Sequence, residues 1–138
     1  MSVAPGLVVL GHGVDLVEVS RIEHMLAEHP ERFPERVFTA AERAYADAGG
    51  KRRAERYAAR FAAKEAAFKA VGTGRRSGIA WTDAEVVHGP DGAPVLRVHG
   101  ELALAAQARG MDRWLVTLTH TDRLAMASVL AGRIAGTG

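Results

Sequence analysis

RYAARFAAKEAAFKAVGTG, residues 56–74, decides how this chain is read. Alanine and straight-chain residues dominate it and no proline interrupts it, so it is expected to be helical. The helix should run from about Arg53 to Val71, with Gly72-Thr73-Gly74 as its stop signal. At about 100° per residue, Phe61, Glu65, Phe68 and Gly72 fall on one side. Glu65 therefore sits near the middle of an apolar stripe, not at its rim. A lone carboxylate there would be costly or would take up a proton, so it needs a partner. Lys69 follows at i+4, the favourable order for an ion pair. A partly exposed Glu65–Lys69 pair in an ordinary helix is one reading. A bound cation is the other.

Upstream of this helix, Leu7 to Val17 reads as a strand. The period of two puts Val9, Gly11, Gly13, Asp15 and Val17 on one face and Val8, Leu10, Val14 and Leu16 on the other. Glycines in a strand mark a bulge or a close approach, and here they leave side-chain-free space beside Asp15. Ser20 is expected to cap a helix carrying Ile22, Met25 and Leu26 as far as Pro30. Glu31 to Phe38 reads as a connector. Thr39-Ala40-Ala41-Glu42 is a capping box, opening a short helix that ends near Gly49-Gly50.

Downstream, Ile79 to Val87 reads as a strand, Gly89-Pro90-Asp91-Gly92 as a turn, and Pro94 to Val98 as the returning strand. Glu101 to Arg109 should be helical. Trp114 to Thr119 and Leu124 to Leu130 are two further strands joined by Thr119-His120-Thr121-Asp122-Arg123. The order predicts an α+β fold with helices against one face of an antiparallel sheet. The 138 residues suit one domain, with a core over about 7–131 and a frayed tail over 132–138.

Hydrophobic residues make up 48% and charged residues 25%, as in ordinary globular proteins. A net charge of +2 argues against a uniform nucleic-acid-binding surface, and no RNP-like aromatic strand is present. The absence of cysteine excludes disulfides, thiolate metal sites and thiol nucleophiles, and fits a cytoplasmic protein. The N-terminus lacks the basic leader of a signal peptide, and no apolar run is long enough to span a membrane.

Asp15 and Glu65, one on a strand and one on a helix, are candidates to share a hard cation. Mg²⁺ is typically held by one or two carboxylates, with waters and phosphates completing its shell. The plain alternative makes Asp15 a turn residue. Lys51, Arg52, Arg53, Arg56, Arg60, Lys64 and Lys69 cluster near or on the long helix, where solvation is the default. Any phosphate affinity at Gly72-Thr73-Gly74 must come from Lys69, Arg75, Arg76 and turn amides, because a helix C-terminus does not favour anions. His120 extends the inward face of its strand, flanked by Thr119 and Thr121; it is either structural or part of a phosphate-receiving polar cluster. GxSxG and HExxH are absent, and Gly11-His12-Gly13-Val14-Asp15 fails the GxGxxG spacing.

Taken in order, GHGVDLVEVSRI, VFTAAE, RYAARFAAKEAAFKAVGTG, WTDAEVV, GAPVL and WLVTLTHT resemble the bacterial holo-[acyl-carrier-protein] synthase family of 4′-phosphopantetheinyl transferases. The resemblance spans about Gly11 to Val129. It implies the 4′-phosphopantetheinyl transferase-like fold. It also implies transfer of 4′-phosphopantetheine from coenzyme A to a serine of apo acyl carrier protein, leaving adenosine 3′,5′-bisphosphate.

Carried onto this chain, the resemblance makes Asp15 and Glu65 the Mg²⁺ ligands and Lys69 the catalytic cation. Arg52, Arg60, Lys64, Lys69, Gly72, Thr73, His120 and Thr121 become coenzyme contacts. The serine proton goes to Glu65 or to a water on the metal. Arg21, Met25, Arg32, Phe33 and Arg36 are expected to grip the acidic carrier protein, although Glu28 and Glu31 interrupt that basic face. The family further implies a homotrimer with interfacial sites and a cytoplasmic place in fatty acid and lipid metabolism. Thr117-Leu118-Thr119-His120-Thr121 stands where serine is common, and keeps the hydroxyls. Two rival readings are a non-catalytic coenzyme A- or nucleotide-binding module and a small RNA-binding domain.

Overall fold

The computed structural model describes residues 6–76 and 78–135. Strand β1 (Leu7–Glu18) leads into α1 (Val19–Glu28), α2 (Arg32–Val37) and α3 (Ala40–Asp47). A 3₁₀ turn at Gly50–Arg52 precedes the long helix α4 (Arg53–Val71). A second 3₁₀ turn, Trp81–Asp83, leads to the hairpin β2 (Ala84–His88) and β3 (Pro94–Val98). Helix α5 (Gly100–Ala108), β4 (Arg113–His120) and β5 (Leu124–Ile134) complete the fold. The strands form an antiparallel three-stranded sheet in the order β1-β5-β4 and a separate two-stranded β2-β3 sheet.

Helix α4 is the centre of the molecule. Tyr57, Ala58, Ala62, Ala63, Ala66, Ala67 and Phe68 are all buried in it. Its alanines let it lie directly on the sheet. A Cβ at Gly13 would fall on the Ala66 carbonyl oxygen, and one at Gly11 on that of Ala70. The glycines therefore admit the helix backbone and do not clear space for a bound ion, which corrects that part of the sequence reading. Gly72 closes α4 in the left-handed conformation, φ 89°, that glycine adopts without steric cost.

Four local expectations are corrected. Helix α1 begins at Val19, so Ser20 lies inside it and Glu18 stands at the cap without a side-chain bond. The segment read as a connector contains α2, whose Phe33, Pro34 and Val37 are buried. Pro34 is tolerated because it sits in the first turn. Trp81–Asp83 is a 3₁₀ turn, not strand, since the Asp83 carboxylate accepts Ala80 N–H (3.2 Å) and Leu102 N–H (3.3 Å). A bulge between Val9 and Gly11 shifts the register, so Val9 points out while Gly11, Gly13, Asp15 and Val17 face α4's side.

The capping box of α3 forms as the sequence predicts, with Glu42 N–H donating to Thr39 Oγ1 (3.2 Å) and Thr39 N–H to Glu42 Oε1 (2.9 Å). The tail boundary moves: β5 continues to Ile134, which pairs with Leu7. The expected fraying of 136–138 lies outside the described residues.

Candidate active site

Strand β1 and helix α4 bring the two candidate carboxylates to one edge of the sheet. Lys69 Nζ donates to Asp15 Oδ1 (3.2 Å) and to the Val14 carbonyl (3.1 Å). Lys69 therefore bridges to the strand instead of closing the i, i+4 pair with Glu65. The Glu65 carboxylate is half-buried and, among the described residues, receives no hydrogen bond. Burial, then the Asp15 charge, pushes its carboxyl above the ordinary carboxylate value, while Lys69, Arg21 and Arg75 pull it back. A carboxylate unfavourably charged beside a second carboxylate fits a divalent cation between them. Among the described residues, no cluster of three or more His, Cys, Asp or Glu forms a cage. A cation here would rely on waters and substrate oxygens for its remaining ligands, the habit of Mg²⁺.

The predicted coenzyme residues fall into separate groups. Lys64 is corrected. It is fully buried and donates to Glu42 Oε1 (2.6 Å) and the Ala84 carbonyl (2.7 Å), with the Trp81 carbonyl at 3.4 Å. Burial lowers its pKa and Glu42 opposes that. Its ammonium is enclosed by protein. Arg60 is also buried. Its guanidinium lies 4.0 Å from the Tyr45 ring centroid, its Nε lacks a hydrogen-bond partner, and desolvation lowers its pKa.

Gly72 and Thr73 occupy the C-terminal turn as expected, but their amides are taken. Gly72, Thr73 and Gly74 N–H all converge on the Phe68 carbonyl at 3.0, 3.2 and 3.4 Å. The three amides are thus engaged within the turn, and Gly72 and the Thr73 side chain remain accessible beside it. Arg52, His120 and Thr121 lie by the opposite end of α4. His120 Nδ1 is 3.5 Å from Glu55 Oε2, and Thr121 Oγ1 accepts the Arg123 and Leu124 amides. The 19-residue helix separates the two groups by about 28 Å.

Arg21, Met25, Arg32, Phe33 and Arg36, dispersed along the chain, line one cavity of about 410 Å³. Phe61 and Trp81 also line it, and Phe61 is one turn from Glu65. Arg21 lies over the Phe61 ring at 5.5 Å. Phe61 stacks on Trp81, with centroids 5.1 Å apart and planes inclined by 28°. Phe33 is a largely buried wall residue, so the accessible charge comes from the arginines. Sequence reasoning missed Trp81, which was assigned to a strand, and Glu42, whose capping signal announced only a local role. It also missed Glu55, which carried no signal.

A buried alanine-rich helix over an antiparallel sheet, with two carboxylates and a lysine at its edge, defines a recognisable class. The chain belongs to the 4′-phosphopantetheinyl transferase superfamily, whose family model matches residues 11–125. Within that class it is an enzyme of the holo-[acyl-carrier-protein] synthase kind, as its relatives indicate. It is 56% identical over 125 residues to the holo-[acyl-carrier-protein] synthase of Anaeromyxobacter sp. strain Fw109-5, covering 88% of this chain and 94% of that one. The holo-(acyl-carrier-protein) synthase of Bacillus anthracis, solved in complex with coenzyme A (3′,5′-ADP), aligns with a TM-score of 0.74 and 34% identity, over 92% of this chain and 98% of that one. The Neisseria meningitidis holo-[acyl-carrier-protein] synthase aligns with a TM-score of 0.81 and 28% identity, over 91% and 100%.

Proposed function

We propose that this enzyme transfers 4′-phosphopantetheine from coenzyme A to a serine of an apo acyl carrier protein and releases adenosine 3′,5′-bisphosphate. Asp15 and Glu65 hold Mg²⁺ in this reading. The observation that carries it is the meeting of Asp15, Glu65 and Lys69 at one edge of β1 and α4. Bound Mg²⁺ would neutralise the pyrophosphate and make its phosphorus a better electrophile. Lys69, held by Asp15 and the Val14 carbonyl, presents a fixed positive charge to the leaving bisphosphate. The serine proton would pass to Glu65 or to a water that the cation holds. Phosphoryl transfer depends on such positioning and charge more than on covalent help.

The carrier protein docks, in this proposal, on the cavity lined by Arg21, Arg32 and Arg36, whose charge complements an acidic partner. The working unit is a homotrimer. The outer face of the β1-β5-β4 sheet exposes Val14, Leu16, Leu115, Leu124 and Met126, an apolar patch of the kind that copies cover. Coenzyme residues at opposite ends of α4 then meet across a subunit boundary, His120 from one copy facing Lys69 of the next. Among the described residues no helix is long and apolar enough to cross a membrane. A cytoplasmic site of action in lipid metabolism belongs to the same proposal, without nucleic acid as a partner.

Chromatographic detection of adenosine 3′,5′-bisphosphate tests this reading. Release should require apo carrier protein, Mg²⁺ and Glu65 together. Coenzyme A that binds without any release would instead make the chain a non-catalytic binding module.

A further inference from the structure

The Gly72, Thr73 and Gly74 amides all turn onto the Phe68 carbonyl, so the side chains beside the turn become the candidates for meeting the negative charge of the coenzyme. Three cations stand around this end of the site: Lys69 on Asp15, Arg21 over Phe61, and Arg75 over Trp81. Lys69 is bonded to Asp15, and Arg21 lines the carrier cavity. Arg75 is different. It is exposed and, among the described residues, joins no ion pair. Its guanidinium lies over the Trp81 indole, 4.3 Å from the ring centroid.

Trp81 is itself held firmly. It stacks on Phe61, meets Phe68 edge-on at 5.7 Å, and its carbonyl faces the buried Lys64 ammonium. The indole is thus a fixed platform under a free cation. A guanidinium lying on an aromatic ring keeps the N–H donors of its edge available, in a fork that matches phosphate oxygens. A carboxylate partner would have occupied those donors.

We propose that Arg75 is a phosphate-binding residue of the active site, presented by Trp81 to the pyrophosphate of coenzyme A. This rests on the function proposed above. The pyrophosphate is assigned because Arg75 stands over Trp81, which packs on Phe61 and Phe68, the residues one turn to either side of Glu65 on α4. Position 75 follows the Gly72-Thr73-Gly74 stop directly, so the same turn that ends the helix delivers the arginine.

The test is equilibrium binding of coenzyme A and of 3′-dephospho-coenzyme A, with Mg²⁺ and no carrier protein, to the full chain and three variants. Arg75→Gln should weaken both ligands by about tenfold, the value of a charge-assisted hydrogen bond. Arg75→Lys should not restore affinity, because an ammonium cannot stack and fork. Trp81→Phe should retain most of the affinity by keeping an aromatic platform, with thermal unfolding confirming that each variant is folded. Wild-type affinity in Arg75→Gln would overturn the proposal, as would a loss confined to coenzyme A, which would place Arg75 on the 3′-phosphate. Absence of phosphopantetheine transfer by the wild-type chain would instead defeat the proposed function, so the two failures are distinct.

Discussion

Lys69 Nζ lies 3.2 Å from Asp15 Oδ1, so one side chain ties the helix of the site to its strand. Glu65, one turn back on the same helix, is left without that cation as a hydrogen-bonded partner. The division of labour follows: Asp15 is neutralised by protein, and Glu65 awaits a charge from outside.

Replacing Lys69 by alanine should therefore separate metal binding from turnover. Mg²⁺ affinity should be kept or improved, because a competing cation has left Asp15. The rate should fall by about 10²-fold, as when one preorganised donor to developing charge is removed. Calorimetric Mg²⁺ titration and single-turnover kinetics report the two effects separately.

The raised carboxyl of Glu65 makes metal binding and stability depend on pH. The folded chain holds this proton above the ordinary value of 4.5. Glu65 thus favours the folded state at low pH, and that contribution is lost as pH rises from 4.5 through the raised folded value. Mg²⁺ should displace the proton within this window, releasing protons to buffer, and Glu65→Gln should abolish that release. The same variant should be more stable than wild type at neutral pH without metal. Calorimetry in buffers of different ionisation enthalpy measures the first, and denaturant unfolding the second.

Gly13→Ala should strike the fold before the chemistry. The new Cβ meets the Ala66 carbonyl oxygen, which belongs to rigid helix backbone. Separating α4 from β1 should cost about 1–3 kcal/mol or more, as overpacking does. Activity should fall with it, since Asp15 and Glu65 reside on the two parted elements. Urea unfolding midpoints compared with rate at low temperature would show both.

Much of this architecture was legible, and the exceptions have physical reasons. The bounds of α4 and the Thr39–Glu42 box carry their signals within a few residues, so the sequence displayed them. Helix α2 was not visible because it depends on burying Phe33, Pro34 and Val37, a tertiary effect acting on a six-residue segment. Lys64 resembled its exposed basic neighbours because the partner that buries it, Glu42, is 22 residues away. Asp15 and Glu65 stood out by pattern as a candidate cation pair and the resemblance made them metal ligands; geometry then supplied what pattern left open, that Lys69 turns to Asp15.

Lys64→Met gives a sharp contrast with Lys69. It leaves the Glu42 carboxylate buried without its cation, although Thr39 and Val86 amides still donate to it. Removing one member of a buried pair costs about 3–5 kcal/mol. Thermal unfolding should show that loss for Lys64→Met and a much smaller one for Lys69→Met, although both remove one positive charge from α4.

A charge on the outer sheet face should test assembly. Leu16→Glu places a carboxylate next to Met126, with Thr119 on the far strand of that row. Sedimentation should show a trimer for wild type and monomers for the variant. Transfer activity should disappear with the trimer, because the two ends of α4 would no longer meet across a boundary. A monomeric wild type with full activity would contradict interfacial sites.

The most direct test is the intact mass of an apo acyl carrier protein after incubation with this chain, coenzyme A and Mg²⁺. The account predicts a gain of one phosphopantetheine group, abolished by EDTA and by Glu65→Ala. An unchanged carrier mass with the folded wild-type chain, or a gain that survives both treatments, would contradict it.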